Sequence, residues 1–93
     1  MNREEFKIQA NQNIDEIFSK IDELRSKKDS VEEKAKAEYE KSIKELESKK
    51  VDLQSKYENL KNASDDEWEE KKRSFSSAVD SFKEGFSKIA STF

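Results

Sequence analysis

The chain has no cysteine, no proline, no histidine and a single glycine in 93 residues. Without cysteine there is no disulfide to staple a small fold and no thiolate to act as nucleophile or ligand. Without histidine the usual general base near neutral pH is missing. Zinc and iron also lose their commonest ligand types when both residues are absent. One glycine excludes a Gly-rich phosphate loop, and no G-x-S-x-G elbow occurs. Carboxylates are plentiful, yet none sits beside a sequence feature that would bury it and shift its pKa. The expectation is no enzyme, with no catalytic residue, cofactor, metal ion or small-molecule substrate.

Long apolar runs are missing as well. No stretch approaches the roughly 20 apolar residues of a membrane span. The start, MNREEFKIQANQ, has no apolar run behind a basic segment, so no secretory signal is expected and the cytoplasm is the default compartment. Charge of one sign is not concentrated either: 19 basic and 22 acidic residues interleave to a net −3. With no basic stripe, nucleic-acid binding has little electrostatic support. The length allows one small domain, 1–93. So short a chain buries little, so association with other chains is expected to help helix packing stabilise it.

What is present is charge, 44% of residues, with only 31% hydrophobic. Rich in Glu, Lys and Ala and nearly free of helix breakers, this composition is typical of coiled coils and long helices. Large apolar residues recur as Phe6, Ala10, Ile14, Ile17, Ile21 and Leu24, in steps of three and four that draw one stripe along a helix. The spacing returns as Val31, Ala35, Tyr39, Ile43, Leu46, then Leu53, Tyr57 and Leu60. Lys28 and Lys50 fill stripe positions where a long stem can lie along apolar surface. Consecutive steps of four at Phe6–Ala10–Ile14 and Ala35–Tyr39–Ile43 relax the left-handed supercoil of a strict heptad, so nearly straight helices are expected. Acid-first pairs four apart, such as Glu16–Lys20, Glu23–Lys27, Glu40–Lys44 and Asp52–Lys56, read as solvated helix faces.

Between Leu24 and Val31 the sequence RSKKDS has no apolar residue. Ser30 with Glu33 matches a capping box, so a helix can begin there. Against a break, the segment has neither Gly nor Pro, and Lys and Arg favour helix. A break near 25–30 gives three helices at about 3–28, 31–62 and 65–92. The favoured reading is one helix of about 3–62, spanning roughly 90 Å at 1.5 Å per residue. The last helix then covers only half of it. Ile14, Ile17, Ile21 and Leu24 become a candidate self-association stripe, and a homo-oligomer, first of all a dimer, is implied.

In LKNASDDEWEEKK the apolar pattern stops and restarts. Asn62 tolerates the left-handed conformation that often ends a helix. Ser64 with Glu67 forms a second capping-box match, and Asp65 and Asp66 suit the positive end of a helix dipole. The segment therefore reads as a hinge at 62–66, with a cap made by Ser64 and Glu67. The rival metal site from Asp65, Asp66, Glu69 and Glu70 lacks the alternating oxygens and turn Gly of a calcium loop.

The last helix, about 65–92, is the most informative segment. Trp68, Lys72, Phe75, Val79, Phe82, Phe86, Ile89 and Phe93 follow steps of four and three, a heptad seam with five aromatics. Aromatic side chains bury roughly 150–250 Å² each, so this seam is expected to pack against the preceding helix. There Ala35 and Ala37 leave room among Tyr39, Ile43 and Leu46. Gly85 beside the seam marks a close helix approach, a bend or a tolerated weak spot. The helix is amphipathic enough to consider lipid contact. Its polar face is mostly Ser, with few of the Lys and Arg that a surface-seeking helix carries.

Three pieces of this sequence, KAKAEYEKSIKELESKK at 34–50, NASDDEWEE at 62–70 and the aromatic helix ending in Phe93, resemble a family of small bacterial coiled-coil proteins described as stress-response proteins. The Ala-Ser turn followed closely by Trp68 is the most specific of them. The resemblance covers about residues 34–93. It implies a small, helical, non-enzymatic protein and brings no site residues with it.

The expected fold is all-α: an antiparallel coiled-coil hairpin or bundle of two to three long helices. The expected role is a self-associating structural or interaction protein. The alternatives are reversible membrane association through the last helix, and an adaptor that holds a helical client in the aromatic groove.

Overall fold

The computed structural model describes residues 2–93. Three long helices account for most of them: α1, Arg3–Ser26; α2, Lys36–Lys61; and α3, Trp68–Thr92. They run up, down and up in a rod of 51 × 18 × 17 Å. This is an all-α helical bundle, built from the apolar stripes read above. α2 is the central element and packs most extensively against α3, while α1 and α3 approach each other least.

α1 starts at Asn2, whose side chain accepts the Glu5 N–H at 2.8 Å while its amide donates to Glu5 Oε1 at 3.1 Å. Glu4 and Glu5 stand in the first turn, where the helix dipole favours acid. The favoured continuous helix over 3–62 is not found, and the three-helix alternative is correct. α1 stops at Ser26. Two short 3₁₀ turns follow, Lys28–Ser30 and Glu33–Ala35, joined by extended backbone at Val31 and Glu32. The break comes later and is wider than 25–30. It carries no Ser30–Glu33 capping box, because neither short turn has a side-chain cap.

Packing decides this break against propensity. Reversal lets the chain cover its own Ile14, Ile17, Ile21 and Leu24, each 8% exposed or less. Burying four aliphatic side chains is worth about 6–12 kcal/mol at roughly 1.5–3 each. The helical preference of a few Lys and Glu residues is tenths of a kcal/mol apiece.

The second reversal lies at 62–67, close to the expected hinge, and α3 begins at Trp68 instead of 65. Asn62 is not left-handed (φ −98°, ψ 6°), and no described residue has positive φ. Ordinary backbone bonds close the turn, from Asn62 N–H to Glu58 O and from Ala63 N–H to Leu60 O.

The core is one continuous apolar column with no buried polar or charged residue among those described. Phe75, Phe82, Ile43, Leu46, Leu53 and Leu60 are its largest fully buried side chains. Phe6 reaches across from α1 to stand edge-on to Trp68 and Phe75, at 5.8 and 6.3 Å between centroids. Gly85 marks a close approach of α3 to α2: a Cβ there would lie 3.0 Å from Leu46 Cδ2 and 3.3 Å from Lys49 Nζ. Leu46 is itself buried, so it has little room to yield.

Candidate interaction surface

The residues singled out in the sequence fall into two groups. Trp68, Phe75, Val79, Phe82 and Ile89 lie in the core, as a packing seam should. Phe86 is half-buried, and Phe93 is 41% exposed at the end of the bundle. The stripe of Ile14, Ile17, Ile21 and Leu24 is also in the core, covered by the chain's own helices. The reason for treating it as an open self-association surface is thereby removed. The aromatic face of α3 that lipid or a helical client would need is turned inward in the same way. Ala37 is exposed and does not line the seam.

At the turn end of the rod, Arg3 ties the start of α1 to the α2–α3 reversal. Its guanidinium donates to Asp65 Oδ1 at 2.6 Å and to the Ala63 carbonyl at 2.7 Å, and lies 4.5 Å from the centre of the Trp68 ring. Charge, hydrogen bonding and stacking are combined in one planar group, a pattern suited to Arg and not to Lys. Half of the Ser64–Glu67 capping box forms. The Glu67 carboxylate accepts from the Ser64 hydroxyl at 3.0 Å and from its N–H at 3.4 Å. The Glu67 N–H bonds the Ser64 carbonyl instead of its hydroxyl. These Ser64 bonds hold the Glu67 carboxyl below its ordinary value.

At the opposite end, Tyr39 of α2 donates its hydroxyl to the Leu24 carbonyl at 2.6 Å. That carbonyl lies in the last turn of α1 and also accepts the Lys27 N–H at 3.2 Å, so the hydroxyl is its second donor. Around it stands a clamp of charges. Arg25 reaches Glu47 and, at 3.8 Å, Glu40; Lys28 lies 2.9 Å from Glu40 Oε2. The Lys28 ammonium is the main cause that lowers the Glu40 carboxyl, and Arg25 and Lys44 add to it. Burial pushes the Tyr39 hydroxyl up.

The same end carries an apolar groove of about 460 Å³ between the ends of α1 and α3. Leu24, Val31, Phe86, Ala90 and Phe93 supply its apolar wall, with Glu23 and Lys27 on the rim. The Phe93 ring stands edge-on to Tyr39 at 5.2 Å, so it closes the groove while keeping much of its surface in water. The other exposed aliphatics, Ile8 and Val51, each sit two residues from a core position, which turns them to the outer faces of different helices.

Chemically the surface offers apolar contact and mixed charge. Among the described residues no group of three or more carboxylates gathers as a metal site, and Asp65 is taken by Arg3. Arg3, Arg25, Tyr39 and Glu40 were not singled out as a site in the sequence. Their partners are 12 to 62 residues away, and no local pattern announces them. Comparison with family models, with characterised proteins and with solved structures gives no match to this chain.

Proposed function

We propose that the protein is a non-enzymatic structural or interaction module that works by associating with other polypeptide, copies of itself first. The observation that supports this reading is the groove at the Phe93 end. There several apolar side chains, Val31, Phe86 and Phe93 among them, share incompletely covered surface. An aromatic ring left partly wet beside aliphatic neighbours gains by being covered, and Phe is an effective anchor at protein interfaces. The mixed-charge faces elsewhere suit a rod that stays dissolved while one end makes contact. The resemblance of residues 34–93 adds a bacterial, stress-associated setting to the proposal, without a mechanism.

Sedimentation equilibrium on the intact chain and on Phe93→Ala tests it. Wild type is expected to associate reversibly as concentration rises, and Phe93→Ala is expected to weaken that association while leaving the helical signal unchanged. A wild-type particle that stays at monomer mass throughout contradicts the reading.

A further inference from the structure

We infer that α1 is exchangeable between two copies of this chain. The connection between α1 and α2 opens at Val31 and Glu32, and the α1 of each copy takes the seat beside α2 and α3 of the other. The inference rests on the self-association reading and names the segment exchanged.

The backbone of the connection carries the first argument. Lys27 (φ −91°, ψ −3°), Ala35 (φ −101°, ψ −9°) and Lys36 (φ −60°, ψ −38°) lie in the right-handed helical region. The residues between them form two 3₁₀ turns, except at Val31 (φ −79°, ψ 140°) and Glu32 (φ −55°, ψ 142°). Rotation of ψ at those two residues, to the helical value near −42°, joins α1 and α2 into one helix. No residue in either 3₁₀ turn is buried, and Val31 between them is only partly covered by the core, so the change releases little packing.

Composition and register point the same way. The connection reads KKDSVEEKA, without the Gly or Pro that fixes a permanent turn, and Lys, Glu and Ala are good helix formers. In a joined helix, Leu24, Lys28, Val31, Ala35 and Tyr39 follow steps of four, three, four and four, so the apolar stripe stays on one face. The helix breaks in a single chain because only reversal covers Ile14, Ile17, Ile21 and Leu24. A second copy supplies the same cover from its own α2 and α3. The seat has one matched occupant, α1 itself, and a two-fold exchange fills both seats at once.

Labels at Ile8→Cys and Glu58→Cys in the intact chain test the exchange, since no native cysteine competes. In the closed bundle these residues lie on neighbouring antiparallel helices. In a joined helix they stand about 75 Å apart, at 1.5 Å per residue. Labelled chain is mixed with excess unlabelled chain, concentrated, heated and cooled, and its dimer fraction is isolated. The expected dimer shows an intrachain separation near the long value.

Glu33→Pro provides the second arm. The residue before a proline prefers the extended conformation that Glu32 already has, whereas a proline inside the joined helix breaks it. It is expected to keep the closed fold and to weaken dimerisation at least ~100-fold. Glu33→Gln, which removes the charge without the ring, is expected to dimerise. A dimer whose labels stay side by side, or a folded Glu33→Pro that dimerises like wild type, overturns the exchange and leaves contact through the Phe93 groove standing. A chain that never dimerises overturns both.

Discussion

Tyr39 does more than its place in an apolar stripe suggests. Its ring is buried, its edge meets Phe93, and its hydroxyl closes the last turn of α1 on Leu24. Tyr39→Phe keeps the ring and deletes one buried hydrogen bond, so a loss of about 1 kcal/mol is expected. For a domain of this size that lowers the melting temperature by roughly 4–8 °C, measurable by circular dichroism. The pH dependence has a definite sign. Burial raises the Tyr39 hydroxyl above its ordinary value of 10, so the fold favours the neutral form. Its stabilisation is complete below that value and is lost as pH climbs through the higher folded one. Wild type is expected to lose stability above pH 10, and Tyr39→Phe to lose less. None of this was legible in the sequence. Tyr39 was visible as a stripe residue, but its partner is a backbone carbonyl fifteen positions away, which periodicity does not encode. The same holds for Arg3 and Asp65, sixty-two apart.

At the scale of elements, the charged clamp between α1 and α2 is where acid acts. The Glu40 carboxyl is lowered chiefly by its bond to Lys28, and Glu23 by its bond to Lys27. Groups lowered on folding stabilise the protein above the ordinary carboxylate value of 4.5 and lose that contribution as pH falls through the folded values. Melting temperature is expected to fall as pH drops below 4.5, with a shallower fall in Glu40→Gln. A profile that is flat in wild type between pH 3 and 5, or identical in the two proteins, removes the clamp. The helices that this clamp joins were legible, because their apolar steps of three and four are regular. The turn at 62–67 was legible too, since the pattern stops there and Ser64 and Glu67 mark the restart. The break at 27–35 was misjudged. Local propensity favours helix through RSKKDS, and the term that overrides it is burial of a stripe against residues far along the chain. Phe93 carries the heptad to the end of the bundle, where Tyr39 meets one edge of its ring and 41% of the residue stays exposed.

The whole molecule is a short rod in which α2 is flanked by α3 along a tight aromatic seam and by α1 along a lighter one. Gly85 lets α3 approach Leu46 closely, whereas α1 meets α3 largely through side chains that reach across. Lys20 lies over Phe86, and Lys72 over Phe6. That asymmetry makes α1 the helix most readily exchanged, and it follows from a chain with aromatics concentrated in one helix and charge spread over all three. Closure of all three helices within one polypeptide is the central claim, and small-angle X-ray scattering at low concentration tests it most directly. The expected particle has the 10.9 kDa mass of one chain and a longest dimension near the 51 Å of the bundle. A single-chain particle stretched to about 90 Å, the length of an unbroken sixty-residue helix, would contradict it.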